Sequence, residues 1–115
     1  MATFIMLTRI SPEAVKTPQT LEQLEQDAMQ HIRTACPEVE WCHSYALLGP
    51  YDYLDIFEAP DVETAAKVAT LIRAYGRAQS EIWAATEWAR FKEMLHGMPQ
   101  AARTPGKRAG RMKRP

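Results

Sequence analysis

The chain has 115 residues, 46% hydrophobic and 24% charged, which allows one domain with a sizeable core plus a tail but not two independent cores. No apolar run approaches the roughly eighteen residues needed to span a bilayer, so a transmembrane helix is excluded. The formal net charge of zero hides a division. Arg103, Lys107, Arg108, Arg111, Lys113 and Arg114 are basic, and no acid accompanies them after residue 102. Removing those six from fourteen basic groups leaves eight against fourteen acids in the body.

The N-terminus, M-A-T-F-I-M-L-T-R, has no basic segment ahead of its apolar run and no small-residue cleavage site. It reads as a strand over residues 3–9 in place of a signal peptide, and the expected compartment is the cytoplasm. Its residues are apolar on both faces, as a central strand requires. Thr17 then offers an N-cap with Pro18 at the first helical position. Leu21, Leu24, Ala28, Ile32 and Ala35 follow as one apolar stripe on a helix that Pro37 ends.

Residues 39–48 form a second strand by alternation. Val39, Trp41, His43, Tyr45 and Leu47 share one face, and the smaller Glu40, Cys42, Ser44, Ala46 and Leu48 share the other. A connection at Gly49, Pro50, Tyr51 and Asp52 leads to a third strand over residues 52–59. There Tyr53, Asp55 and Phe57 alternate with Leu54, Ile56 and Glu58. An odd-numbered connection puts Tyr53, Asp55 and Phe57 on the face of Trp41, His43 and Tyr45, whereas a two- or four-residue loop swaps the assignment. The odd count is favoured because it places Leu54 and Ile56 beneath the helices.

Asp61 caps a second helix with Glu63 in its first turn. Ala65, Val68, Ala69, Ile72 and Tyr75 form its buried stripe, and Gly76 suits a left-handed C-terminal residue. A fourth strand, Gln79 to Trp88, sets Glu81, Trp83 and Ala85 against Ile82, Ala84 and Thr86, and Ala89 to Leu95 is a short closing helix. The order strand, helix, strand, strand, helix, strand, with right-handed crossovers, gives an α+β ferredoxin-like sandwich: a four-stranded antiparallel sheet with two helices on one face. The domain spans residues 1–96, and residues 97–115 make a basic tail of disordered composition.

The hairpin sequence Y-A-L-L-G-P-Y-D-Y-L-D-I-F-E-A-P-D, with Gly49, Tyr51 and Asp52 in its turn, resembles the signature of the GYD-domain family, and the similarity extends over most of residues 3–95. The resemblance implies a ferredoxin-like domain that pairs into a dimeric α/β barrel. Cofactor-free monooxygenases and isomerases on similar barrels imply, at the level of fold only, chemistry on a small organic molecule.

An open face bearing Trp41, Tyr45, Tyr53, Phe57 and Trp83 exceeds the apolar patch usual on a soluble monomer, so a homodimer through that face is expected, enclosing a pocket for a small organic ligand. The candidate catalytic residues are His43 as general base, with Asp55 or Glu81 to orient it. Trp41, Tyr45, Tyr51, Tyr53 and Trp83 are the candidate ligand-binding residues. The competing reading makes His43 an ordinary interface residue, Gly49, Tyr51 and Asp52 turn-formers, and the protein a non-catalytic metabolite- or protein-binding module.

Cys36 and Cys42 are expected to be reduced and unpaired. With His31 and His43 they give the spacing H-x4-C-x5-C-H, which lacks the close ligand pairs of a structural zinc site, so no metal is expected. No glycine-rich phosphate loop or catalytic signature occurs, and no cofactor is expected. The tail has charge for weak phosphate contacts but no aromatic residue for base stacking, so nucleic acid is not an expected partner.

Overall fold

The computed structural model describes residues 1–14 and 17–99. Four strands, β1 (Ala2–Ile10), β2 (Glu40–Ala46), β3 (Tyr53–Ala59) and β4 (Ala78–Ala85), alternate with helices α1 (Pro18–Ala35) and α2 (Val62–Gly76). The strands form one sheet in the order β2-β3-β1-β4, antiparallel throughout. This is the ferredoxin-like arrangement expected from the element order. Residues 1–85 make one compact unit. A third helix, α3 (Trp88–His96), belongs to a second unit beginning at Thr86, and its Trp88 and Phe91 rings stack at 5.6 Å. The basic tail lies outside the described residues from position 100 onward.

The helix starts follow from their caps. Thr17 takes the backbone N–H of Thr20 on its side chain with Pro18 behind it, and Asp61 takes the N–H and the hydroxyl of Thr64. These bonds to the charged form hold the Asp61 carboxyl below its ordinary range. Between helices and sheet, Phe4, Met6 and Phe57 meet Ile32, Cys36, Ala65 and Val68 in the core. Phe57 is fully buried and its ring stacks on Phe4 at 5.7 Å and on Trp41 at 5.1 Å.

Several details depart from the sequence reading: Tyr75, expected in the buried stripe of α2, is 42% exposed, and β4 ends at Ala85, short of Trp88. In α1 the residue buried after Ile32 is Cys36, while Ala35 is exposed. At the end of α2 the left-handed residue is Arg77 (φ 53°, ψ 51°), and Gly76 is an ordinary helical residue buried against α1. Strand β2 stops at Ala46, leaving Leu48 fully exposed.

The largest departure is register, and it reassigns the faces. Ala46 pairs with Tyr53, so the connection is the even run 47–52 and Leu54 and Ile56 pair with Tyr45 and His43. A β-bulge between Trp41 and His43 then returns Trp41 to the side of Phe57. The face expected to be open is thereby split: Trp41, Tyr53, Asp55 and Phe57 lie beneath the helices, and His43 and Tyr45 lie on the far side with Leu54, Ile56, Ile5 and Trp83.

Candidate functional site

The turn that joins β2 to β3 is tied to the end of β1. Gly49 has φ 154°, a backbone conformation that L side chains rarely adopt. Asp52 accepts the Ile10 N–H on its side chain at 2.8 Å and donates its own N–H to the Thr8 carbonyl at 2.8 Å. Arg9 donates its Nε–H to the Pro50 carbonyl at 2.8 Å, and its guanidinium lies over the Tyr51 ring, 5.0 Å from the centroid. Tyr51 thereby reaches across the sheet to donate its hydroxyl to Glu81 at 2.6 Å. The other oxygen of Glu81 accepts the Trp83 indole N–H at 3.3 Å. The bond to Glu81 raises the Tyr51 phenol above its ordinary pKa and keeps it a donor. The turn residues are therefore structural anchors that also place one aromatic ring and one carboxylate on the face turned away from α1 and α2.

That face carries an apolar band. Tyr45 is 54% and Trp83 53% exposed, and Ile5, Leu54 and Ile56 between them are partly exposed. His43 stacks beside Tyr45 with ring centroids 6.2 Å apart. Among the described residues no carboxylate hydrogen-bonds His43, and its lateral partners across the sheet are Ile56, Ile5 and Trp83.

On the opposite face a pocket of about 360 Å³ opens between α1 and the sheet, within the size range of small-molecule sites. The sequence makes room for it. The helix-facing residues of β2 beyond the bulge are Ser44 and Ala46, too small to fill the space under α1. Leu21, Leu24 and Met29 wall it from the helix, and Trp41 and Tyr53 wall it from the sheet.

Its polar group is Asp55, whose Oδ1 accepts from Ser44 Oγ at 2.6 Å and from Trp41 Nε1 at 3.2 Å. Trp41 Nε1 also donates to Ser44 Oγ at 2.9 Å. Burial pushes the Asp55 carboxyl above its ordinary pKa despite these two bonds, which act the other way. The Thr8 hydroxyl, at 3% residue exposure in the same lining, has no hydrogen-bond partner among the described residues.

The structure thus distributes the sequence-predicted site residues over two places. Asp55, Trp41 and Tyr53 line the helix-side pocket, whereas His43, Glu81, Tyr51 and Trp83 occupy the open face, and Tyr45, on that face by register, also borders the pocket. His43 and Asp55 are on opposite sides of the sheet and form no acid–base pair. Thr8 and Ser44 are site residues that the sequence reading misses. The signal for Thr8 is its alternation with Phe4 and Met6 in β1, which sets a hydroxyl on the buried face. Cys36 and Cys42 are free thiols, the first buried and raised in pKa chiefly by that burial. Among the described residues, no helix is long and apolar enough to cross a membrane, and no three His, Cys, Asp or Glu side chains gather as a metal-binding group.

Comparison with known proteins agrees with this architecture. The family model described as GYD domain matches residues 4–95. A Thermus thermophilus protein named glutamine synthetase and cystathionine beta-lyase binding protein is 29% identical over 80 residues, covering 66% of this chain and 79% of that one. Among solved structures, the Mycobacterium tuberculosis leucine response regulatory protein superposes with a TM-score of 0.50 at 13% identity. That match covers 75% of this chain and 51% of the regulator, about half its length, and shows the fold alone. A crystal structure of a Thermus thermophilus protein gives a TM-score of 0.49 at 21% identity, over 76% of this chain and 95% of that one.

Proposed function

The chain belongs to the GYD-domain family, and on that footing we propose that it is a non-catalytic binding module that works as a homodimer through the sheet face turned away from α1 and α2. The observation that carries this reading is the apolar band of Ile5, Tyr45, Leu54, Ile56 and Trp83, with the two aromatic residues about half exposed. Contiguous apolar surface of this kind on a small protein marks an interface. A second copy matches it, because a two-fold pairing sets the same patch against itself, and sheets stacked face to face sit roughly 10 Å apart with interdigitating side chains. The Tyr51–Glu81–Trp83 cluster keeps its hydrogen bonds at the margin of such an interface, where a small ligand between the sheets would meet polar groups.

Two observations support binding in place of catalysis. Among the described residues His43 hydrogen-bonds no carboxylate that would orient it, and the relative from Thermus thermophilus is named for binding two enzymes. The proposed role is therefore to hold another protein, with the paired sheets as the rigid platform.

Native mass spectrometry and light scattering test the pairing. The wild-type chain is expected to be a dimer at micromolar concentration. Trp83→Asp, and separately Ile56→Asp, should give folded monomers, since a charge placed centrally in an apolar interface is left unpaired on association. A wild-type chain that stays monomeric at high micromolar concentration, or variants that remain dimers, would remove this reading.

A further inference from the structure

The pocket beneath α1 has a charge bias that the pairing of open faces does not explain. Three carboxylates belong to its lining, Asp55 inside and Glu22 and Glu25 on exposed turns of α1, and among the described residues of that lining there is no Lys, Arg or His. Asp55 is partly buried, and a carboxylate there has an oxygen free to take a donor from a bound molecule. Here both donors, Ser44 and Trp41, meet Oδ1, and Oδ2 takes no hydrogen bond from the described residues.

The second, independent observation is Thr8. It pairs with Tyr53 in the register where Met6 pairs with Asp55, so it lies one diagonal step from Asp55 on the same face of the sheet. Its hydroxyl is buried with no partner among the described residues, and such a group is costly unless something supplies the missing bond. Trp41 and Tyr53 contribute ring surface to the same lining, which also attracts a cation. The Tyr53 phenol is raised in pKa by burial first, then by Asp52, Glu25 and Asp55, in keeping with negative potential there.

We propose that this pocket is a binding site for a small amphipathic amine: a primary ammonium seated on Asp55, an apolar body between Trp41 and the leucines of α1, and a second hydrogen-bonding group at Thr8. An ammonium supplies three donors and no acceptor, which suits the open oxygen of Asp55 and the acidic residues around it. An anion of the same shape meets three like charges and no cationic side chain, and the Trp41 indole N–H is already taken by Ser44 and Asp55. The site is on the face opposite the proposed dimer interface, so pairing and ligand binding can fail separately.

The test uses the full chain and three probes that share a phenyl group and a second polar function but differ in charge: phenylalaninol (cation), N-acetylphenylalaninol (neutral) and phenyllactate (anion). The readout is the Trp41 indole N–H resonance, assigned with Trp41→Phe. Phenylalaninol is expected to shift it saturably, the neutral probe to bind at least about tenfold more weakly, and phenyllactate not to bind. Asp55→Asn should abolish the preference for the cation, whereas Glu63→Gln, which removes an exposed carboxylate outside the pocket lining, should keep it.

Equal or tighter binding of phenyllactate, no saturable shift with any probe, or an Asp55→Asn protein that still prefers the cation would each overturn the proposal. The three-probe comparison on the wild-type chain stands even if Asp55→Asn does not fold.

Discussion

On its helix side the sheet stacks Phe4, Phe57 and Trp41 in series and seals Phe57 and Met6 from water; on its other side Tyr45 and Trp83 stand half exposed, with Ile5, Leu54 and Ile56 between them. The two faces are drawn from nearly the same residue types. What separates them is the cover above each, since hydrophobic stabilisation follows the area removed from water and not the identity of the residue. Burial alone therefore distinguishes a core aromatic from an interface aromatic, and the difference is measurable residue by residue.

The most forceful way to break this comparison is truncation on each side. Phe57→Ala should destabilise the fold by about 3–5 kcal/mol in urea denaturation, because it removes a fully buried ring that two other rings pack against. Trp83→Ala should change the monomer by less than about 1 kcal/mol and act instead on self-association. Equal losses at the two positions would mean that the open face is covered within a single chain.

Gly49→Ala should follow, with a loss of about 1–3 kcal/mol from forcing a side chain onto φ 154°. Nothing lies within 4 Å of the added carbon, so the effect is backbone strain and not crowding. A neutral Gly49→Ala would show that the turn relaxes without disturbing the bonds of Asp52 to β1.

Period and punctuation carried most of this fold. The caps at Thr17 and Asp61, the stop at Pro37 and the alternation of β1 and β4 are local features, and the elements lie within a few residues of where those signals place them. The faces of β2 and β3 were less legible because they depend on a single count. An even connection and a bulge at Cys42 are both set by long-range contacts, namely Asp52 with Ile10 and Trp41 with Phe57. Alternation within either strand contains neither. The same reason hid the pocket: Ser44 and Ala46 read as small residues suited to close packing under a helix, and the space they leave depends on how far α1 stands from them. At the end of α2, Gly76 drew the left-handed assignment by residue type, whereas the chain makes that turn one residue later at Arg77.

Asp55 sharpens the contrast through pH. Its carboxyl titrates higher in the folded protein than its ordinary value of 3.8 because burial disfavours the charge. Above that value the native state holds a proton that the unfolded chain has released, so stability falls as pH rises from 3.8 through the raised pKa. Asp55→Asn should therefore stabilise the ligand-free protein at neutral pH, with the gain shrinking as pH is lowered toward 3.8. Thermal melts across that range check the sign. A gain that grows on acidification would mean that Asp55 is held by a cation within the fold.

Gly76→Ala is the smallest change and tests whether the void on the covered face is a packing shortfall or a site. An added carbon at Gly76 would stand 3.6 Å from Ala28 Cβ and 3.8 Å from Ile72 Cγ2, ordinary contact distances, and the backbone there is right-handed. Replacing a helical glycine by alanine should then stabilise the fold by about 0.5–1 kcal/mol in urea denaturation. Gly76, Ala28 and Ile72 all line the pocket, so the same methyl group narrows the space in which phenylalaninol is expected to sit. Stability and affinity should move in opposite directions. If both rise together, the methyl fills a gap that no ligand uses, and the covered face is only an imperfectly packed core.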